Sequence, residues 1–275
     1  MEPWIETYRG AVSPWETDVT EHFTVAFYFD RIAMAEASLA GELGLLERLR
    51  TGGFDRRYDI RYARELRAGA AFHVESAAIG GEGDVRLGHR FVDSVTGEAI
   101  TWFDVHWDGV TATLPAERIA AWDGPEFEVR ADPKDLSKLI PTSAGRVQPS
   151  DLDEFGRMGI CGLIHKFTDS SVQIGAAIGL TADYIKTGRR GFSTFEFRLR
   201  IGGTLGLGDR YQTRTGIAHL GNSSLRFLHV MSDGEGREVA RLGQFGVTLD
   251  LDARRPAPLA PELRERAERL VLPTG

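Results

Sequence analysis

Two aspartates in this chain are placed where a carboxylate can act as a general base or a nucleophile. Asp18 and Asp153 each end the word Gly-x-Val-x-Pro-x-x-x-Asp, and each precedes an apolar stretch with helical periodicity. A carboxylate with its ordinary pKa of about 4 is ionised at neutral pH. The N–H groups at a helix start can stabilise a developing negative charge nearby. Both words therefore mark candidate catalytic sites.

Each of these candidates also has a simpler interpretation. Asp18 is either catalytic or a cap for a turn or helix. His22, four residues later, either orients a substrate or Asp18, or is a half-exposed histidine without a special role. Glu36 falls on the apolar stripe of the first helical stretch, where a buried carboxylate would need a reason; otherwise it faces solvent at the edge of that stripe. The second copy has Ser171 in its place.

Thiol and metal chemistry receive less support from the sequence. Cys161 and His165 are one helical turn apart, which would suit a nucleophile pair, but a buried structural thiol is the simpler interpretation. The histidines and acidic residues show no metal-binding spacing, so we predict no metal. No glycine-rich nucleotide loop follows a strand and opens a helix.

Length and composition narrow the classes of protein. The chain has 275 residues, 42% of them hydrophobic, which is enough for two domains. Its net charge of −7 argues against nucleic acid as a partner. We predict a cytoplasmic protein, because the chain has a single cysteine and its N-terminus does not resemble a signal peptide. We predict no membrane span, because no apolar run of about eighteen residues occurs.

The repeated word indicates an internal duplication with an offset of 135 residues, from Asp18 to Asp153. We predict an N-terminal domain over residues 1–125, a linker over 126–144 and a C-terminal domain over 145–275. Each half is expected to contain one strand, one long helix and an antiparallel meander. The first predicted helix covers Thr24–Leu45. The second carries apolar residues from Ile160 to Ile178 on one face and is expected to end at Gly179-Leu180. A short helical piece is predicted at Pro115–Trp122 and a terminal helix at Pro261–Val271. The predicted meander strands are Tyr58–Glu65, Ala71–Ile79, Gly83–Asp93, Ala99–Trp107, Phe192–Ile201, Asp209–Leu220, Ser223–Ser232 and Glu238–Leu249.

This α+β pattern resembles a tandem, or double, hotdog, in which a sheet wraps around a long helix in each half. The first copy reads Pro14, then Asp18-x-x-Glu21-His22-x-Thr24-x-x-x-Tyr28. It is similar to the motif of hotdog acyl-coenzyme A thioesterases of the hydroxybenzoyl type, which have Gly and Asn at the positions of Glu21 and Thr24. The second copy keeps Asp153 but has Arg157 at the histidine position.

The resemblance implies roles for these residues. Asp18 would attack a thioester carbonyl or activate a water, and N–H groups near Thr24 and Val25 would hold the oxyanion. Asp153, with Arg157 as a substrate contact, would belong to a second, divergent site. Tyr28 occupies a motif position, although core packing is its simpler role. A second branch of hotdog thioesterases carries its carboxylate on the helix, which makes Glu36 a secondary candidate.

We therefore predict a hydrolase that cleaves a thioester of coenzyme A or of an acyl carrier protein, with no cofactor beyond the coenzyme A of the substrate. The rival hypotheses are a hotdog hydratase or dehydratase and a non-catalytic acyl-binding protein. The chain is expected to act as a monomeric pseudo-dimer or as a homo-oligomer of it. Basic residues that could bind coenzyme A phosphates are Arg56, Arg57, Lys186, Arg189 and Arg190.

Overall fold

The computed structural model describes residues 3–18, 21–80, 83–114 and 116–273. The helices in these ranges are α1 (Val25–Glu42), α2 (Leu46–Thr51), α3 (Ile160–Ile178), α4 (Ala182–Gly188) and α5 (Pro261–Glu268). The strands of the first half are β1 (Ile5–Ala11), β2 (Asp55–Tyr62), β3 (Ala71–Ala78), β4 (Asp84–Asp93) and β5 (Ala99–Thr111). Those of the second half are β6 (Ile140–Arg146), β7 (Arg190–Ile201), β8 (Arg210–Leu220), β9 (Ser224–Asp233), β10 (Glu238–Asp250) and β11 (Arg255–Pro256).

One antiparallel sheet runs through both halves. Its strand order is β1-β3-β4-β5-β2-β7-β10-β9-β8-β6, and β11 pairs with the end of β10. The first half therefore has the order β1-β3-β4-β5-β2, and the second half repeats it in reverse as β7-β10-β9-β8-β6. The two halves join where β2 pairs with β7, with Tyr58 opposite Leu199.

The two long helices lie against this sheet and against each other. Phe29, Ile32 and Leu39 of α1 are buried at exposures of 1% or less, as their helical spacing predicts. The ring of Phe27 in α1 lies 5.7 Å from that of His165 in α3. None of the helices in the described ranges is long and apolar enough to span a membrane.

Most of the predicted elements are confirmed, with boundaries that differ by a few residues. Two short helices, α2 with six residues and α4 with seven, were not predicted, because fewer than two helical turns are too short to show an apolar periodicity. The helical piece predicted at Pro115–Trp122 contains only a 3₁₀ turn at Ala116–Arg118, and its first residue lies outside the described ranges. Strand β6 begins at Ile140, inside the segment predicted as a linker.

Candidate active site

A cavity of about 510 Å³ lies between the start of α1 and the face of α3. Residues from both halves line it, so the cavity depends on the packing of the two halves. Its wall is mainly apolar, which suits a hydrocarbon chain. The apolar lining includes Phe23, Tyr28, Tyr62, Ile164, Phe167, Val172, Leu180, Ile185, Phe192, Phe197, Phe227 and Leu242.

Asp18 and His22 line this cavity. They belong to one tight turn, in which the Asp18 carboxylate accepts a hydrogen bond from the His22 backbone N–H at 3.2 Å. The His22 ring nitrogen Nε2 lies 2.8 Å from Oε2 of Glu65. Burial raises the pKa of Glu65, but the hydrogen bond and charge of His22 outweigh it and lower that pKa below its ordinary value. The two carboxylates and the imidazole form the polar edge of the cavity.

The start of α1 forms part of the same wall. Thr24 is the N-cap residue and Val25 the first helical residue, and both line the cavity. In the described part of the chain, the Thr24 side chain makes no capping hydrogen bond to α1. The first N–H groups of a helix have no partner within the helix, and the helix dipole adds positive potential there. This end of α1 can therefore stabilise an oxyanion beside Asp18.

Asp153 closes the matching turn of the second half. Its carboxylate accepts hydrogen bonds from the backbone N–H groups of Phe155 (2.9 Å) and Arg157 (3.0 Å). The cavity at this end measures only about 30 Å³. Arg157 fills the space: its Nη2 donates to the Leu49 carbonyl at 3.0 Å, and a Cβ added at Gly52 would lie 2.0 Å from its Nη1. The second end thus leaves no room for a substrate.

Comparisons with known proteins agree with this geometry. Residues 147–267 match the model of the thioesterase-like superfamily. The chain has the fold of the hotdog thioesterases. No curated protein sequence shows a significant match to it.

Three solved structures share this fold over most of their length. An acyl-ACP thioesterase from Bacteroides thetaiotaomicron is similar with a TM-score of 0.66 and 13% identity, over 87% of this chain and 96% of that one. A putative oleoyl thioesterase from Lactobacillus plantarum has a TM-score of 0.65 and 13% identity, over 88% and 95%. A 12:0-ACP thioesterase from Umbellularia californica has a TM-score of 0.60 and 14% identity, over 90% and 99%. The resemblance to hotdog thioesterases is confirmed for the fold, and the match to the superfamily model covers residues 147–267.

Glu36 lies outside the 510 Å³ cavity. It is 1% exposed and accepts hydrogen bonds from Tyr58 Oη at 2.9 Å and from Trp107 Nε1 at 2.6 Å. Arg56 in turn donates to Tyr58 Oη at 3.1 Å. The interpretation of Glu36 as a solvent-facing residue is therefore wrong. Its carboxylate is held inside the first half by structural partners.

The five basic residues predicted to bind coenzyme A do not form one cluster. Arg56 is turned toward Tyr58 and lines the 30 Å³ cavity, and Lys186 is exposed on α4. The remaining three make separate ion pairs: Arg57 with Asp59, Arg189 with Asp252 and Arg190 with Asp250. Arg189 lines a cleft of about 200 Å³ beside the 510 Å³ cavity, and His22 and Glu65 line both.

Tyr28 and Cys161 have packing roles. Tyr28 is 3% exposed, its ring lies 4.6 Å from that of Phe23, and burial raises its pKa above the ordinary value. Burial also raises the pKa of Cys161 to about 12, so the thiol is protonated at neutral pH and is a poor nucleophile. Among the described residues, no group of three or more His, Cys, Asp or Glu side chains is placed to hold a metal ion.

The sequence did not predict a polar group that lies inside the apolar cavity. Ser171 Oγ lies 2.6 Å from Gln244 Oε1 and 2.9 Å from the Phe167 carbonyl oxygen, and Gln244 Nε2 donates to Thr194 Oγ1 at 2.7 Å. Ser171, Gln244 and Thr194 line the cavity. The signal was present, since Gln244 follows Ala240 and Leu242 at alternate, buried positions of β10.

Proposed function

We propose that this chain hydrolyses an acyl thioester of coenzyme A or of an acyl carrier protein. The observation that carries the proposal is the apolar cavity of about 510 Å³ with Asp18 at its polar edge and the start of α1 in its wall. The names of the Bacteroides and Umbellularia structures, both acyl-ACP thioesterases, favour an acyl carrier protein as the donor.

In this mechanism the acyl chain occupies the apolar cavity and the thioester carbonyl points to the Val25 N–H at the start of α1, because the Thr24 N–H already donates to the Glu16 carbonyl at 2.9 Å. Asp18 either attacks the carbonyl carbon or takes a proton from a water whose oxygen attacks it. In the water route the C–S bond then breaks, and the departing thiolate takes up the proton that Asp18 removed from the water. In the nucleophilic route the C–S bond breaks to leave an acyl-aspartyl anhydride, which a water hydrolyses to the acid and the free Asp18 carboxylate, and that water supplies the proton of the free thiol. His22, held by Glu65, fixes the turn that presents the Asp18 carboxylate.

The two halves are, in our proposal, tandem hotdog units with one working site between them. Their element order and strand order repeat, which supports a duplication. The contrast between the two ends supports a single site, because His22 has Arg157 as its counterpart and Arg157 fills the second space.

The test is free-thiol release from a panel of acyl-coenzyme A and acyl carrier protein thioesters with short, long, branched and aromatic acyl groups. Asp18→Asn is expected to lower kcat/KM by roughly 100-fold or more, the usual loss when a general base is removed. Asp153→Asn is the matched control, because Asp153 caps the equivalent turn outside the cavity. It is expected to retain wild-type activity.

Each other outcome has a clear meaning. Unchanged release in Asp18→Asn would reject the site, and no release from any thioester would reject hydrolysis. Binding of the thioesters without turnover would then favour the acyl-binding alternative. Addition of water to an unsaturated acyl group, without thiol release, would favour the hydratase.

A further inference from the structure

A buried chain of hydrogen bonds in the second half ends at the active cavity. His229 is fully buried between Thr215 and Gln244: its Nδ1 lies 2.9 Å from Thr215 Oγ1 and its Nε2 lies 3.1 Å from Gln244 Oε1. Behind it, Thr215 Oγ1 lies 2.8 Å from Thr142 Oγ1. The chain thus runs from Thr142 through His229 to Gln244, and Gln244 continues it to Thr194 in the cavity wall.

The direction of each hydrogen bond follows from the atoms available. Gln244 Oε1 only accepts, so the hydrogen on His229 must be on Nε2. A neutral imidazole then accepts at Nδ1, so Thr215 donates to His229 and accepts from Thr142. The amide oxygen of Gln244 is occupied by Ser171 and His229, and its amide nitrogen faces Thr194.

The first half contains an equivalent chain of buried hydrogen bonds, but it has no counterpart of Gln244. Thr7 and Ser76 lie 2.6 Å apart, and Ser76 lies 2.7 Å from Nδ1 of the fully buried His89. Val105 stands where the second half has Gln244, two residues beyond the strand partner of the histidine in each case. Within the described ranges, His89 Nε2 has no hydrogen-bond partner. The fold therefore tolerates the absence of the amide, and Gln244, which lines the cavity, is a feature of the second half.

Gln244 and Thr194 offer hydrogen-bond donors to the cavity. Thr194 Oγ1 accepts from Gln244, so its own hydrogen is left for another partner, and no described residue accepts it. Gln244 also has a second amide hydrogen, which no described residue accepts. Around them the wall is apolar, with Phe167, Phe197 and Leu242. Donors in an apolar cavity are costly unless an acceptor pairs with them, and the occupant can supply that acceptor.

The position of these donors along the cavity follows from the helix packing. Phe27 of α1 meets His165 of α3. Thr24 of the α1 start and Thr168 of α3 line the cavity about one turn from this contact. Ser171 lies about one turn further along α3, so the polar group that it forms with Gln244 and Thr194 lies deeper in the cavity than the start of α1. Past Ser171 the lining continues through Gly175, Leu180 and Ile185 of the α3–α4 region. An acyl chain entering from the Asp18 edge therefore passes the donors before its tail reaches the apolar end.

We propose that the cavity selects acyl thioesters whose chain carries a keto or hydroxyl oxygen between the thioester and an apolar tail. Gln244 and Thr194 donate to that oxygen, and His229 is a positioning residue that keeps the Gln244 amide nitrogen on the cavity side. This inference rests on the proposed thioester hydrolysis and names its substrate class.

The experiment compares pairs of ligands that differ only in this oxygen. For hydrolysis, the pairs are saturated, 3-hydroxy and 3-oxo acyl-coenzyme A thioesters of one chain length. For binding, they are S-alkyl coenzyme A thioethers with and without a hydroxyl at the matching carbon, which cannot be hydrolysed. The wild type is expected to favour the oxygenated member about tenfold in kcat/KM and in Kd.

Variants test which residues cause the preference for the oxygenated ligand. Thr194→Val and Gln244→Leu are expected to lose it, so that the two members of each pair are bound and hydrolysed alike. Thr215→Val, which removes the donor to His229, is expected to reduce it, whereas the matched Ser76→Ala in the first half leaves it unchanged. ¹⁵N NMR of the histidine rings is expected to show His229 protonated on Nε2, and Nδ1 protonation would overturn the direction of the chain.

The two proposals can fail separately. Hydrolysis of all pairs without any preference would overturn this inference and leave the thioesterase proposal standing. An equal loss of activity on saturated and oxygenated substrates in Thr194→Val would also overturn it, because the donors would then hold the reacting carbonyl or a water. A thioether preference in a protein that hydrolyses nothing would support the inference and reject the thioesterase proposal.

Discussion

At the scale of single residues, the two copies of the sequence word differ in the residues after the aspartate. Asp18 and Asp153 accept equivalent backbone hydrogen bonds, so both carboxylates hold a turn whatever else they do. The difference is made by the residue four positions later. His22 leaves an open cavity beside Asp18, whereas the long Arg157 side chain fills the equivalent space. A carboxylate present in both copies is therefore, by itself, a poor predictor of a site in this chain.

Glu36 provides a prediction at this scale. Glu36→Ala would leave the buried donors of Tyr58 and Trp107 without an acceptor, and each such donor costs about 1–3 kcal/mol. We expect a loss of roughly 3 kcal/mol or more in the free energy of unfolding, measured by urea denaturation. The hydrolytic activity of the folded protein is expected to stay at the wild-type level.

Tyr58→Phe is the matched control for Glu36→Ala. It removes two hydrogen bonds, the one to Glu36 and the one from Arg56, and retains the ring and the Glu36 carboxylate, so a loss of about 2 kcal/mol is expected. A Glu36→Ala protein of wild-type stability without activity would instead support the catalytic role of Glu36.

At the scale of elements, the repeated word is explained by packing. A Cβ added at Gly10 or Gly145 would lie less than 3 Å from a tyrosine hydroxyl, that of Tyr8 or Tyr211 respectively. The word also contains a second carboxylate, two residues before the aspartate in each copy. Asp151 accepts from the Gln148 backbone N–H at 2.8 Å and pairs with Lys166 of α3 at 2.8 Å. Glu16 does the same in the first half, with Ser13 and with Arg31 of α1.

These carboxylates fix each strand end to its long helix, and they give a second prediction. Asp151→Ala leaves the largely buried ammonium of Lys166 unpaired and the Gln148 N–H without its side-chain acceptor. A loss of about 3 kcal/mol in the free energy of unfolding is expected, since removal of one partner of a buried ion pair typically costs about 3–5 kcal/mol. Urea denaturation of Asp151→Ala and of the equivalent Glu16→Ala measures it. Wild-type stability in both variants would contradict this role.

The sequence predicted the elements better than the site. Apolar periodicity located α1, α3 and the meander strands, because these elements bury one face each. It did not predict that Glu36 is buried, because the partners Tyr58 and Trp107 come from strands distant in sequence. Gln244 and Thr194 were missed for the same reason, since they become a pair only when β7 and β10 align.

At the scale of the whole molecule, the continuous sheet joins the two halves into one structure. In the described ranges, the Asp18 turn borders the cavity of about 510 Å³, whereas Arg157 fills the space beside the Asp153 turn. The strands β2 and β7 join the halves, and residues of both halves line the active cavity. Each half also encloses one fully buried histidine at the equivalent position, His89 and His229. The repeated architecture therefore gives the whole molecule two groups that resist protonation in the folded state.

These histidines predict how stability depends on pH. Burial lowers the pKa of His89 to about 3 and that of His229 to about 4, from an ordinary value of 6.5. Below pH 6.5 the unfolded chain binds protons that the folded protein does not bind, so stability is full above that pH and falls as the pH approaches 4. At pH 5 the expected loss is roughly 2 kcal/mol per histidine relative to pH 7.

Urea denaturation at pH 7 and pH 5 measures this loss in the free energy of unfolding. The variant His89→Leu shows how much of the loss comes from His89. The variant removes one of the two buried histidines, so the change between the two pH values is expected to fall to about half of the wild-type change, whatever the absolute stability of the variant. A change of the same size in His89→Leu and wild type would show that His89 is protonated in the folded protein as readily as in the unfolded chain. The buried hydrogen-bond chain of the first half would then be more open to water than its fully buried position indicates.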